Sequence, residues 1–288
     1  MRSVWAAALL LRRIRADRGS LALLLVVVAT TSFLLAAAPR LLNRVTDDAL
    51  RTSLRSVTSA ERDVRVSQSA RIPPGPGGGV SAPASQGDRL ADGFPSTLAA
   101  LVSGRTMVVT TVRLDVPQPP IDQTRLSLRY QDGLTEITRL VAGRWPESRG
   151  VPLQPGGFWG GGDGTGAANP PPVTVEAALS TVEARKIGVG VGDRLGVAVD
   201  ETDPLVAGTP FFLGPTEVLV VGLFEPLDPN AADWSGDTSL LDVALTGSIF
   251  RPIMNATAYV SAAIYPDLFA SGLPFRYEWR FHTDPDRL

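Results

Sequence analysis

The sequence Leu21-ALLLVVVATTSFLLAA-Ala38 decides the fold, because it lies within an uncharged stretch that runs from Gly19 to Pro39. At about 1.5 Å per residue this stretch forms a helix of roughly 31 Å, close to the hydrocarbon thickness of a bilayer. Its few hydroxyl side chains can bond back to helix carbonyls. Because a helix of a soluble protein normally keeps one polar face, the stretch predicts a transmembrane helix over residues 21–39.

A cleaved signal peptide is the main alternative, since the triplet 36–38 (Ala-Ala-Ala) is typical of a cleavage site. The apolar run is longer than the roughly 7–15 residues of a signal sequence. A cut after Ala38 would also place Pro39 at the new amino terminus, where its ring fits a protease subsite badly. We therefore predict an uncleaved membrane anchor.

Arginines flank the span on both sides, so the excess of basic residues on one side, which sets the orientation of a membrane helix, is modest. They are Arg2, Arg12, Arg13, Arg15 and Arg18 before it, and Arg40, Arg44, Arg51 and Arg55 after it. The short basic amino-terminal tail favours a cytoplasmic amino terminus in the plasma membrane. Residues 1–20 then form a basic interfacial segment at the inner leaflet, and the remainder of the chain is extracytoplasmic.

The helical pattern continues beyond Pro39 and predicts a stalk helix over residues 40–60. A narrow apolar stripe runs along it, formed by Leu42, Val45, Ala49, Leu50, Leu54 and Val57. Such a stripe on a protruding helix requires a partner helix, which a chain with one span does not obviously supply. We therefore expect further permease spans or a second chain as a partner.

Residues 61–288 mix strand-like and helical segments, which predicts an α+β domain. Strands are expected at 62–69, 106–116, 125–130, 134–142, 173–177, 194–199, 217–224, 256–261 and 275–281. Asp132-Gly133 predicts a hairpin turn between two of them. Short helices are expected near 94–102, 179–187 and 264–270, and Gly/Pro-rich loops at 72–92 and 147–172.

Composition excludes several functions. A net charge of −2 provides no basic surface for nucleic acid. The chain has no cysteine, which excludes disulfides and cysteine-based metal sites. Its single lysine, Lys186, precedes Ile187, so no Walker A motif is present and any ATP must be bound by another protein. The glycines at 188, 190 and 192 follow a predicted helix instead of a strand, which predicts a tight turn placing Asp193 before a strand.

No catalytic, cofactor or metal residue is predicted. The single histidine, His282, lies in a terminal strand without an identifiable nucleophile partner and is expected to be a surface or half-buried residue. Asp47 and Asp48 lie on the stalk, although a pair of carboxylates that meet only in space stays possible. Most tryptophans are expected to anchor the core, Trp145 among them, whereas Trp159 in the glycine-rich loop is expected to be exposed.

Four segments, taken in order, resemble the FtsX/MacB-type permeases of ABC transporters. They are the span with its basic lead-in, LVAGRWPE (140–147), VTVEAALSTVEARKIGVGVGDRL (173–195) and EVLVVGLFEPLDPNAADW (217–234). The resemblance covers about residues 7–234. It marks eight structural motif positions: Gly143, Arg144, Trp145, Pro146, Gly192, Asp193, Gly222 and Trp234.

The resemblance implies a permease-type subunit that performs no chemistry itself. A separate cytoplasmic ABC ATPase would drive a conformational change in the extracytoplasmic domain. The family places further spans after this domain, whereas the sequence ends at Leu288 without one, so we expect an amino-terminal piece of a longer permease or a shortened homologue. The alternatives are a single-span anchored binding or sensor module and an anchored hydrolase that uses carboxylates.

Overall fold

A computed structural model describes residues 18–117, 123–147, 173–204, 206, 216–231, 234, 236–248 and 251–287. It divides into two compact units, of which the first ends at Ser56 and the second spans Val57–Arg287. The described part of the first unit is one helix, α1 (Arg18–Ser56), of 39 residues. At 1.5 Å per residue it is about 58 Å long.

Helix α1 exposes large apolar side chains, with Leu23 at 69% and Phe33 at 70% of their full exposure. Within its apolar part the hydroxyl of Thr30 donates to the Val26 carbonyl at 2.7 Å, as the sequence predicts. Pro39 lies inside the helix, which continues past it to Ser56. Among the described residues this is one helix long and apolar enough to cross a membrane. A signal sequence near the amino terminus would also satisfy these criteria of length and composition.

The second unit is a mixed α+β domain. Its strands are β1 (Val64–Ala70), β2 (Val102–Thr111), β3 (Leu114–Val116), β4 (Thr124–Gln131), β5 (Thr138–Gly143), β6 (Val173–Ser180), β7 (Arg194–Val199), β8 (Thr216–Pro226), β9 (Ala244–Ser248), β10 (Arg251–Tyr259) and β11 (Phe275–Thr283). Its helices are α2 (Ser59–Arg62), α3 (Ser81–Asp92), α4 (Ser96–Leu101), α5 (Leu134–Ile137), α6 (Thr181–Ile187) and α7 (Tyr265–Ala270).

The described strands form one sheet in the order β1-β11-β2-β4-β3-β7-β8-β6-β10-β9, with β5 paired to β8. Strand β10 also pairs with β4, so β4, β3, β7, β8, β6 and β10 form a closed ring. The β10–β4 and β6–β8 pairs are parallel, and the other pairs are antiparallel. Strands β2, β11 and β1 extend this ring as an open sheet.

Two apolar clusters fill the domain. The larger one holds the inward faces of the ring strands together with the aromatic side chains of β11. The smaller one surrounds Phe224, Trp234 and Tyr259. Each inward side chain alternates with an outward one, as the pleat of a strand requires. The mixed α+β class predicted from the sequence is therefore confirmed.

The predicted loop over 72–92 is wrong in its second half, because residues 81–92 form helix α3. Pro83 lies in the first helical turn, where a missing N–H costs little. Gly87 packs against Trp279, whose Cδ1 would lie 2.5 Å from an added Cβ, and the indole N–H donates to the Pro83 carbonyl at 2.9 Å. Tertiary packing therefore favours a helix where local composition predicts none.

The predicted hairpin between β4 and β5 is also wrong. Asp132 bonds to Met107 instead, its N–H donating to the Met107 carbonyl at 3.0 Å and its carboxylate accepting from the Met107 N–H at 3.2 Å. Gly133, at φ +69°, begins helix α5, and β5 then pairs with β8. Strand β9 was not predicted, and residues 148–172 of the second predicted loop, with Trp159, lie outside the described residues.

Candidate functional site

The structure brings the eight motif positions together around strand β8. The Arg144 N–H donates to the Val221 carbonyl at 2.9 Å, and the Gly192 N–H donates to the Val220 carbonyl at 2.8 Å. The Val220 N–H in turn donates to the Asp193 carbonyl at 3.0 Å. We call the set Gly143, Arg144, Trp145, Pro146, Gly192, Asp193, Gly222 and Trp234 the β8 junction.

Two glycines allow the backbones of β5 and β8 to approach closely. Gly143 has a φ of +73°, and an added Cβ would collide with the Val221 carbonyl oxygen. A Cβ at Gly222 would collide with the Arg144 carbonyl oxygen. Neither position accepts a side chain unless the strands separate. The segments GRW (143–145) and VVG (220–222) therefore lie this close only because each has a glycine at the contact.

Side chains complete the junction on either side of this contact. The Arg144 guanidinium pairs with both oxygens of the Glu176 carboxylate. Trp145 packs against Phe224, with ring centroids 5.9 Å apart, and edge-to-face against Tyr259 at 5.8 Å. Trp145 is half-buried and not a full core anchor, whereas Trp234 is buried. The predicted motif positions are thus structural neighbours.

Gly192 and Asp193 form the tight turn that the sequence predicts. Helix α6 ends at Gly188, and the Gly190 N–H donates to the Asp193 carboxylate at 2.8 Å. Gly192 has a φ of +99°, and an added Cβ there would have no atom within 4 Å. This carboxylate is bonded within its own turn, so the arrangement serves the turn.

Glu183 on α6 is a fully buried carboxylate near the junction. It accepts a hydrogen bond from the Thr257 N–H at 2.9 Å, and its own N–H donates to the Ser180 hydroxyl at 3.1 Å, capping the helix. Burial raises the pKa of Glu183 to about 8, although hydrogen bonds to its carboxylate from Thr257 and Ser180 oppose the shift. In the folded protein this carboxyl group therefore holds its proton near neutral pH.

The face of the open sheet opposite the core is polar, and its exposure varies: Arg129, Gln131 and Arg280 are buried, whereas Arg276 is exposed. In β11 the aromatic side chains face the core, and the residues between them face outward together with their direct partners on β2 and β4. We call this outward surface the polar face; it consists of Thr106, Thr110, Arg129, Gln131, Arg276, Glu278, Arg280 and His282. The sequence analysis identified only His282 among them.

Asp237 bridges two buried guanidinium groups on the polar face. Its carboxylate lies 2.8 Å from Arg129 and also pairs with Arg280, whose Nε bonds to Glu278. The side chain of Arg129 is 4% exposed and that of Arg280 is 1% exposed. Further bonds run from Arg129 to Ser239 at 2.7 Å. Two cations and two carboxylates make the network electrically neutral.

The network shifts the pKa of its buried members. Burial lowers the pKa of Arg129, and the Asp237 charge opposes that shift. Burial raises the pKa of Asp237, but the charges of Arg129 and Arg280 and hydrogen bonds from Ser239 outweigh it and hold the pKa well below its usual range. The two guanidinium charges therefore favour the ionised form of Asp237.

His282 lies between two polar partners at the end of the polar face. Its Nδ1 is 2.8 Å from the Asp63 carboxylate, and its Nε2 is 2.8 Å from the Thr106 hydroxyl. The Asp63 carboxylate also accepts from the Thr283 N–H at 3.1 Å. The histidine is partly buried, within the surface or half-buried position expected, and the sequence did not identify Thr106 as its hydroxyl partner.

The described residues contain no group of three or more His, Cys, Asp or Glu side chains arranged to hold a metal ion. One small cavity of about 10 Å³ lies between β2, β4 and α7, lined mainly by apolar residues and by Thr111 and Tyr265. This volume accommodates about one water molecule. Comparisons with protein-family models, curated proteins and solved structures return no match for this chain.

The polar face could have been found from the sequence. In the segment FRYEWRFH (275–282) the aromatic residues alternate with Arg, Glu, Arg and His. Period-two alternation indicates a strand with two unlike faces. The sequence does not show which residues pair with this face, because the partners are distant along the chain. Asp63, Arg129 and Asp237 lie 43 or more residues from Arg280.

Proposed function

We propose that this chain is the amino-terminal part, or a short form, of a permease-type subunit of an ABC transporter. In this proposal α1 crosses the plasma membrane with its amino terminus in the cytoplasm, and the α+β domain lies outside. A separate ATPase subunit hydrolyses ATP, and the domain responds by changing conformation. The observation that carries the proposal is the uncharged, exposed part of α1 between Arg18 and Arg40.

The ends of the domain support this proposal. Strands β1 and β11 are antiparallel neighbours, with Val64 opposite Phe281. The Asp63 carboxylate accepts from the Thr283 N–H, so the chain enters and leaves the domain at one edge. A domain with adjacent ends is suited to insertion between two neighbouring segments of a larger assembly.

The absence of cysteine allows a sharp test of topology. Single cysteines at Ser3 and at the exposed Ser67 should respond differently to a membrane-impermeant maleimide applied to intact cells. We expect labelling of the S67C variant only, and labelling of both after lysis. Replacement of Leu25 by Lys should release the chain from membranes, whereas Leu50→Lys, in the stalk, should not. Labelling of S3C alone in intact cells would overturn the proposed orientation.

Association with an ATPase separates the transporter from an anchored binding or sensor module. The full chain, co-expressed with the ATP-binding subunit and the remaining spans encoded beside it, should co-purify with them in detergent. We expect the chain to change the rate of ATP hydrolysis by that subunit. A membrane-embedded chain that associates with no ATP-binding subunit would favour the sensor module instead. A mature amino terminus at Pro39 would support a cleaved signal peptide.

A further inference from the structure

Three adjacent strands of the open sheet align a carboxylate, an imidazole and a hydroxyl. Asp63 immediately precedes β1, His282 lies on β11 and Thr106 lies on β2. Asp63 meets Nδ1 of the ring at 2.8 Å, and Thr106 meets Nε2 at 2.8 Å. This is the order of groups that activates a hydroxyl nucleophile in hydrolases.

The hydrogen bonds fix the direction of proton donation. An ionised carboxylate only accepts, so Nδ1 of neutral His282 carries the proton and donates it to Asp63. Nε2 is then an acceptor, and the Thr106 hydroxyl donates to it. Asp63 is held in place by the Thr283 N–H, and its side chain is 1% exposed. The imidazole is therefore oriented to act as a general base towards Thr106.

The reacting side is open to solvent. The His282 side chain is 22% exposed, and Gly104 lies directly opposite it on β2. A Cβ added at Gly104 would touch only Cδ2 of His282, at 4.0 Å. The missing side chain leaves space beside Nε2 for a small group. Nearby on the polar face, Arg280 is already held by Asp237 and Glu278.

We propose that Thr106 and His282 form an acyl-transfer centre, positioned by Asp63, that hydrolyses carboxylic esters of small acyl groups. The Thr106 oxygen bonds to the acyl carbon while its proton moves to Nε2 of His282. The bond to the leaving oxygen breaks, and that oxygen takes the proton from His282. Water then attacks the acyl group, gives a proton to His282, and the acyl bond to Thr106 breaks with return of that proton to its oxygen.

The test uses the full chain in detergent micelles with p-nitrophenyl acetate, whose leaving group needs no protonation. Replacement of Thr106 by Val keeps the size of the side chain and removes the nucleophile. We expect it to lower the rate about 10²–10⁴-fold, to the buffer background. Thr106→Ser should retain activity. Ser103→Ala is the matched control, because its hydroxyl donates only to the His282 carbonyl, and it should hydrolyse the ester at the wild-type rate.

Two further measurements distinguish chemistry from folding. A fluorophosphonate should label the wild type at Thr106, as mapped by mass spectrometry, and should not label Thr106→Val, whose melting temperature should match the wild type. In the Asp63→Asn variant the amide N–H donates to Nδ1 of His282, so the ring proton moves to Nε2. Nε2 can then no longer accept the proton of Thr106, and the plateau of the pH–rate profile should disappear. A folded Thr106→Val variant that hydrolyses the ester at the wild-type rate would overturn the proposal, whatever the outcome of the topology and ATPase tests.

Discussion

Two carboxylates, one fully buried and one partly buried, show how differently the β8 junction and the polar face are built. Glu183, near the junction, is surrounded by apolar groups and neutral donors, so burial raises its pKa to about 8. Asp237, against the polar face, lies between two guanidinium groups, and its pKa falls below the usual range. Burial is common to both. The presence of a cation decides whether a buried carboxyl group keeps its proton.

The difference extends to what each region tolerates. Besides the Arg144–Glu176 ion pair, close backbone approach and apolar packing hold the junction, so adding or removing volume should destabilise it. Ion pairs hold the polar face together, so removing one charge and leaving its partner buried should destabilise the fold. Substitutions that separate volume from charge therefore test the comparison.

Asp237→Asn should be the most destabilising substitution on the polar face. It leaves the guanidinium groups of Arg129 and Arg280 buried with one carboxylate fewer. We expect a loss of about 3–5 kcal/mol in the free energy of unfolding, measured by guanidinium denaturation of the full chain in micelles. Glu225→Gln, which breaks the exposed pair with Arg139, should cost much less, because solvent screens an exposed ion pair. Similar losses for both variants would contradict charge balance as the basis of the polar face.

Gly222→Ala should cost about 3 kcal/mol, because the added methyl group collides with the Arg144 carbonyl oxygen and separates β5 from β8. Gly192→Ala is the matched control. That position has a positive φ but open space, so only backbone strain of about 1–2 kcal/mol is expected. Thermal unfolding of both variants measures the difference. A larger loss at Gly192 would show that conformation, and not close approach, governs the junction.

Trp145→Ala should cost about 2 kcal/mol, since the ring is half-buried and loses its contacts with Phe224 and Tyr259. The fully buried Trp279, whose indole also donates to Pro83, should cost about 3–5 kcal/mol when replaced by Ala. Denaturant titration followed by near-ultraviolet circular dichroism measures both. Equal losses would mean that the junction is as tightly packed as the main core.

Glu183 should make stability fall as pH rises. Its folded pKa of about 8 exceeds the ordinary value of 4.5, so the folded state binds more protons between these limits. The stabilising contribution of Glu183 is fully present below pH 4.5 and is lost as the pH rises through about 8. Between these limits the free energy of unfolding falls by up to about 1.4 kcal/mol per pH unit. Unfolding measured from pH 5 to 8 should show this slope, and Glu183→Gln should flatten it.

Asp237 should show the opposite sign. Its folded pKa is lowered, so its contribution to stability is complete above the ordinary pKa of 3.8 and is lost only in more acidic solution. Asp237→Asn should therefore lower the free energy of unfolding equally across pH 5 to 8 and leave its dependence on pH unchanged. A change of slope in that variant would contradict the assignment of the slope to Glu183.

Much of the domain follows from local pattern. Strands β6, β7, β8 and β11 were predicted within a few residues, because alternating side chains report the pleat directly. The turn at Gly192 was also predicted, from glycine spacing. By contrast, α3 and α5 were missed. In α3, Pro83 and Gly87 favour a loop locally, and contact with Trp279 favours the helix. Residues 134–137, which form α5, were predicted as the start of a strand.

The sequence by itself determined the long apolar helix, the α+β class and the turn at Gly192, because length, periodicity and glycine placement act over a few neighbouring residues. Only the tertiary structure decided which distant residues meet: Asp237 with Arg129 and Arg280, and Thr106 with His282 and Asp63. Charge pairing and proton donation depend on distances of about 3 Å across the sheet. Strand order sets those distances, and strand order is a property of the whole fold.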